Sequence, residues 1–209
     1  MGMSIEPTTI EGSWLFTPQL HGDSRGIFLE TFKEEGFVEA IGHPLRLAQA
    51  NCSVSARGTV RGIHFADVPP GQAKYVTCVS GRILDVVVDI RVGSPTFGQH
   101  ESLLLDDESR QALYLSEGLG HGFVALTDDA TVMYLCSEPY RPQGEHGIDP
   151  NDFDLAIDWG LPAGDLLLSD KDLAAPGLHE AAQQGLLPDF AECQAYRQSL
   201  VQSLLPSRD

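Results

Sequence analysis

Three segments of this 209-residue chain concentrate side chains that can move protons or bear charge. The first is Arg61-Gly62-Ile63-His64-Phe65, followed by Gly71-Gln72-Ala73-Lys74-Tyr75. The second is Glu117-Gly118-Leu119-Gly120-His121-Gly122-Phe123, and the third is Tyr134 with Tyr140. These residue types suit proton transfer at a carbon beside a ketone, which is acidic because its anion delocalises onto oxygen. A histidine titrates near neutral pH and can take a carbon-bound proton. A lysine near the ketone oxygen counters the charge that develops there. Inversion needs a proton returned to the opposite face, which a tyrosine can supply, and an aspartate behind the histidine would fix its tautomer. Taken singly, each residue has an ordinary explanation. A buried histidine needs hydrogen-bond partners, a lysine beside a tyrosine snorkels, and a strand tyrosine packs in the core or at its rim. Their order along the chain gives them weight.

Spacing decides which of them can meet. Gln72 and Lys74 are two apart and share a face in a strand. Arg61 and His64 are three apart, so a regular strand would send them to opposite faces, but Gly62 could permit a bulge that brings both inward. The clearest strand runs from Ile83 to Ile90, with Leu84, Val86, Val88 and Ile90 on one face and Asp85, Val87 and Asp89 on the other. Two carboxylates on one face read as solvated or as a polar barrel mouth. General burial preference makes the solvated face the expectation.

The elements that must position these groups are mostly strands. Short alternating segments run from about Gly12 to Glu138, separated by turn signals at His21-Gly22-Asp23, Pro69-Pro70-Gly71, Gly93-Ser94-Pro95 and Asp128-Asp129. That spacing predicts a sandwich or barrel rather than βαβ units. A further strand is expected over Thr131 to Ser137 and a short helix near Phe32 to Ile41. Helix-rich sequence begins near Leu173. There Asp189 and Glu192 form a capping box, and Phe190, Cys193, Tyr196, Leu200, Val201 and Leu204 recur at helical spacing, predicting a helix that covers the barrel or a partner. The length suits a single domain over residues 1–209, and 42% apolar composition is globular.

A net charge of −17 argues against binding along nucleic acid or at an anionic membrane. A small anionic substrate would need local cations, and two of the three lysines, Lys74 and Lys171, lie in the motifs. Met1 to Ile10 lacks a signal-peptide pattern and no stretch is long and apolar enough to span a bilayer, so a cytoplasmic protein is expected. Cys52, Cys78, Cys136 and Cys193 form no C-x-x-C and read as reduced thiols that pack.

From about Gly12 to Pro176 the sequence resembles the dTDP-4-dehydrorhamnose 3,5-epimerase family. The matching stretches are Asp23-Ser24-Arg25-Gly26, Gln49-Ala50-Asn51, Arg61-Gly62-Ile63-His64-Phe65, Gln72-Ala73-Lys74, Asp85-Val86-Val87-Val88-Asp89-Ile90-Arg91, Ser94-Pro95-Thr96-Phe97-Gly98, Gly120-His121-Gly122-Phe123 and Ser169-Asp170-Lys171-Asp172. The resemblance implies an all-β, cupin-type double-stranded β jelly roll with short peripheral helices and a C-terminal helix over about residues 173–209. It implies that His64 is the base, oriented by Asp172, that Tyr134 is the acid on the other face of the sugar, and that Lys74 stabilises the enolate. Arg61 and His121 would share that pocket, with Arg61 near the diphosphate. Arg25, Glu30, Gln49, Asn51, Glu145 and Lys171 would hold the nucleotide, with Tyr140 stacked near thymine. It further implies a homodimer to which about residues 1–50 contribute, so that Arg25 and Glu30 would serve the neighbouring site.

The implied substrate is a dTDP-4-keto-6-deoxyhexose of dTDP-rhamnose or antibiotic deoxysugar biosynthesis, and no cofactor or metal is implied. Metal-binding cupins carry two histidines one residue apart, whereas no two of the seven histidines here are separated by one or three residues. The sequence departs from the usual family pattern at Ala66, Ser116, Leu119-Gly120 and Asp149-Pro150-Asn151. Whether C3, C5 or both are inverted therefore stays open. Two other readings share the scaffold: a sugar-nucleotide 3,4-ketoisomerase and a non-catalytic sugar-nucleotide binding module.

Overall fold

The computed structural model describes residues 2–203, so Leu204 of the helical stripe lies outside them. In chain order the strands and first helix are β1 (Ser4–Pro7), β2 (Ser13–Thr17), β3 (His21–Asp23), β4 (Gly26–Phe28), α1 (Glu34–Ile41), β5 (Gln49–Ser55), β6 (Val60–Ala66), β7 (Lys74–Ser80) and β8 (Arg82–Val88). There follow β9 (His100–Asp106), β10 (Ala112–Leu115), β11 (Gly120–Ala125), β12 (Ala130–Cys136), β13 (Glu145–Gly147), α2 (Asp170–Leu173), α3 (Leu178–Gln183) and α4 (Phe190–Gln202).

A six-stranded sheet, β1-β2-β10-β7-β12-β5, faces a five-stranded sheet, β13-β6-β11-β8-β9, and β3 and β4 form a separate hairpin. The named strands pair antiparallel throughout. The two sheets make the jelly roll. Between them, Val76, Leu113 and Val132 of one meet Ile83, Val87 and Phe123 of the other.

A second apolar layer lies on the outer face of the five-stranded sheet. There Ile63, Val86 and Val88 are covered by Leu155, Trp159 and Leu178 of the C-terminal region. Strand β8 is therefore buried on both faces, and the solvated face expected for its carboxylates does not exist. Asp85 and Asp89 are both 0% exposed. Buried carboxylates must be hydrogen-bonded, and both are. Asp89 accepts from Arg91 Nε and Nη2, each at 2.8 Å, and from the Ser94 and Thr96 hydroxyls. Asp85 accepts from His121.

The first helix begins two residues later than expected, at Glu34. Phe32 instead packs, outside the helix, against the aromatic cluster of Phe16, Phe37, Tyr75 and Tyr114. Helix α4 starts at the expected cap, Asp189 accepting from Glu192 N at 3.1 Å. It lies on the barrel: Cys193 is buried and Phe190 stacks on Arg91, whose guanidinium carbon is 5.0 Å from the ring centre, while Val201 remains exposed. All four cysteines are free, three of them buried. Among the described residues no helix is long and apolar enough to cross a membrane.

The bulge at Gly62 is present. His64 lies opposite His121, but Arg61 lies opposite Phe123, so one extra residue of β6 is accommodated between them. Gly62 has φ +121°, and a β-carbon there would lie 2.5 Å from Gly122 Cα and 2.6 Å from His121 O. Both obstacles are backbone and cannot turn aside. Gly62→Ala is accordingly expected to destabilise the fold by about 3 kcal/mol, seen as a lower urea midpoint. A variant with the wild-type midpoint would show that the bulge can absorb a side chain.

Candidate active site

His64 of β6 meets Asp172 of α2 across 108 residues of sequence, Nε2 to Oδ1 at 2.8 Å. The geometry of Asp172 follows from its helix start. Ser169 is the N-cap and accepts from Asp172 N at 3.1 Å, while its hydroxyl donates to Asp172 Oδ2 at 2.8 Å. A carboxylate only accepts, so Nε2 of His64 carries the hydrogen and Nδ1 of the neutral ring keeps its lone pair. Burial pushes the Asp172 carboxyl up. The hydrogen bonds from His64 and Ser169, with the charges of His64 and Lys171, outweigh this and hold it below the usual value. Asp172 is thus an anion behind a half-exposed imidazole.

Lys74 opens β7 and is clamped between Leu115 of β10 and Cys136 of β12. It is 7% exposed. Burial lowers its pKa, and Glu145, Cys136 and Asp85 oppose the shift. Tyr134 lies on β12 beside Asn51 of β5. Burial, with Cys136, raises its pKa, opposed by Arg61 and a hydrogen bond with Asn51. Its phenol is therefore protonated at neutral pH. A second pair lies alongside: His121 Nε2 is 3.0 Å from both Asp85 carboxylate oxygens.

These groups line one cleft. A cavity of about 420 Å³ is bounded by His64, Asp172, Lys74, Tyr134, His121 and Arg61. A second, of about 430 Å³, is bounded by Gln49, Asn51, Tyr140, Glu145 and others, and the two share His64, Lys74, Tyr134 and Lys171. In the second, Gln49 Nε2 donates to Asn51 Oδ1 at 2.8 Å and Gln49 Oε1 accepts from Tyr140 N at 2.9 Å. His64 enters from the five-stranded sheet and Tyr134 from the six-stranded one. A flat ring between them would present one face to each, with buried Lys74 beside it.

Two of the expected residues lie elsewhere. Arg25 and Glu30 line neither cavity and are exposed, Arg25 pairing with Asp23 at the tip of the β3–β4 hairpin. Two contributors lay outside the expected set. Asp85 holds His121, and its signal was its place on a strand face shared with Asp89. Ser169 holds Asp172, and its signal was the S-x-x-D spacing of a helix start.

A family profile described as dTDP-4-dehydrorhamnose 3,5-epimerase matches residues 7–180. The chain is 57% identical over 203 residues to a dTDP-4-dehydrorhamnose 3,5-epimerase of Mycolicibacterium smegmatis, covering 97% of this chain and 100% of that one. It is 60% identical over 193 residues to a dTDP-4-dehydrorhamnose 3-epimerase of Streptomyces niveus, covering 92% of each. Among solved structures it resembles ChmJ, a 3'-monoepimerase from Streptomyces bikiniensis in complex with dTDP-quinovose. There the TM-score is 0.91 at 48% identity, covering 94% of this chain and 99% of that one.

Proposed function

The chain belongs to the dTDP-4-dehydrorhamnose 3,5-epimerase family, and on that premise we propose how its residues share the work of an epimerase, an isomerase acting on dTDP-keto-deoxysugars. The substrate is a dTDP-4-keto-6-deoxyhexose. The observation that carries the reading is the placement of His64 and Tyr134 on opposite sheets across a cavity that also holds buried Lys74. The nitrogen of His64 not bonded to Asp172 takes the proton from the carbon beside the C4 ketone, and the bonding pair moves to the C4 oxygen. Lys74 stabilises the resulting enolate, and Asp172 stabilises the imidazolium. The Tyr134 hydroxyl then delivers its proton to the other face, the ketone re-forms, and solvent restores the two protonation states. Every bond change is a proton transfer, so the route calls for no cofactor.

His121, held by Asp85, and Arg61 flank the sugar and the diphosphate. Gln49, Asn51, Glu145 and Lys171 hold the nucleotide, with Tyr140 against the thymine. Arg25 and Glu30 reach the neighbouring site of a homodimer. Their exposure, together with Ile27 at 61% and Phe28 at 68% on the same hairpin, supports that assignment. A cytoplasmic setting fits the free cysteines. The 60% identity to a 3-epimerase and the likeness to a 3'-monoepimerase favour a second reading, inversion at C3 alone.

The test is incubation with dTDP-4-keto-6-deoxyglucose in deuterium oxide, followed by proton NMR. Loss of both the C3 and C5 proton signals with inverted product is expected of the 3,5-epimerase, and loss at C3 alone of the second reading. Conversion to a 3-keto sugar, or no exchange by folded protein, would overturn both.

A further inference from the structure

A third cavity, of about 90 Å³, lies under α4, between Tyr196 and Leu200 of that helix and Ala73, the neighbour of Lys74. Three buried polar atoms that border it have no hydrogen-bond partner among the described residues: His43 Nε2, the Tyr114 hydroxyl and Glu117 Oε2. The parent residues are 4%, 0% and 7% exposed. Buried polar atoms left unsatisfied by protein call for water, and a polar chamber of this size has room for it. None of the three touches the proposed sugar site.

The other oxygen of Glu117 points to a purpose. Glu117 Oε1 accepts from the Ser137 hydroxyl at 3.2 Å. Ser137 Oγ in turn accepts from Ala73 N at 2.8 Å, and Ser137 N donates to Ala73 O at 3.1 Å. Next to it, Gln72 Nε2 donates to Glu138 O at 2.9 Å. Ala73 is therefore gripped at both its N–H and its carbonyl by one serine, and that serine is aimed by Glu117. Gly71 closes against the same side chain, since a β-carbon there would lie 2.7 Å from Glu117 Cβ. The residue that follows the gripped one is Lys74.

We propose that Glu117 is a positioning residue: through Ser137 and Ala73 it fixes the backbone that delivers Lys74 to the cleft. The proposal rests on the role assigned to Lys74 above. Burial raises the Glu117 pKa, opposed by the Ser137 hydrogen bond and by Arg197. In either charge state the carboxyl accepts from Ser137 with one oxygen and turns the other to the chamber. Glutamine reproduces that pattern, with its carbonyl to Ser137 and its amide into the chamber.

The test compares Glu117→Ala, Glu117→Gln and Ser137→Ala by turnover, by dTDP binding and by hydrogen exchange at the Ala73 amide. Glu117→Ala and Ser137→Ala are expected to lower kcat by about 10- to 100-fold, because small misplacements of a catalytic group are that costly, while dTDP affinity stays within about threefold of the wild type on the same argument. Both should lose protection at Ala73, and Glu117→Gln should restore kcat and protection together. Folded Glu117→Ala protein with wild-type kcat, or with undiminished Ala73 protection, would overturn the proposal. So would a Glu117→Gln protein as impaired as the alanine variant. An inactive wild-type enzyme would instead overturn the proposed function, and Ala73 exchange would still decide whether the grip exists.

Discussion

His64→Ala is expected to lower deuterium incorporation at the reacting carbon by about 10³-fold, within the range for loss of a general base. Of the two histidines that an aspartate holds through Nε2, His64 is the more open to the cleft, its side chain 35% exposed against 9% for His121, and Lys74 is proposed to serve the oxygen rather than the carbon. The fold should survive, because His64 is partly exposed with its side chain at 35%, and Asp172 keeps its bond to Ser169. Binding of dTDP, measured by calorimetry, is expected to persist, since the residues proposed to hold the nucleotide line the adjoining cavity. Folded His64→Ala protein that exchanged at the wild-type rate would remove His64 from the base position and reopen the choice between the two His–Asp pairs.

Tyr134→Phe should separate two events that the wild type joins. On the proposed roles, proton removal by His64 should continue, and the imidazolium, equilibrating with solvent, can return deuterium to the face it came from. Delivery to the opposite face loses its acid. Inverted product is expected to form about 10²-fold more slowly, the lower part of the acid–base range, while exchange with retention stays within about tenfold of the wild type by the same estimate. The burial that raises the Tyr134 pKa keeps the phenol protonated well above neutral pH, so the effect should be flat from about pH 6 to 8. Equal loss of exchange and inversion would move Tyr134 to binding or enolate stabilisation. Unchanged inversion would remove it from the reaction.

Much of the lining of the candidate cleft was legible because its residues sit in short motifs whose order is informative. Gly62 announced its bulge, because a three-residue offset between Arg61 and His64 can bring both to one side only through an extra residue. The dyad was not legible from spacing, since 108 residues separate its members and only the closed barrel brings α2 to β6. The strand face of Asp85 and Asp89 was misjudged for a related reason. Alternation assumes one wet face, and here the C-terminal segments carrying Leu155, Trp159 and Leu178 cover the outside of the sheet. Glu117 was seen only as part of a glycine-rich motif. Its contact with Ser137 depends on two strands meeting, and the chamber beside it needs α4 as a roof.

The bulge at Gly62 also sets the parity of the whole strand. Val60, Ile63 and Phe65 all belong to the layer under the helices, and Arg61 and His64 both border the cleft. Before the glycine the odd-numbered position faces the cleft, and after it the even-numbered one does. The strand is thus read in two frames that meet at one residue. Adding or removing two residues beyond it would leave the inside and outside of the barrel in register. Losing the single residue between the frames would turn one end of β6 inside out and send either the arginine or the histidine into the apolar layer.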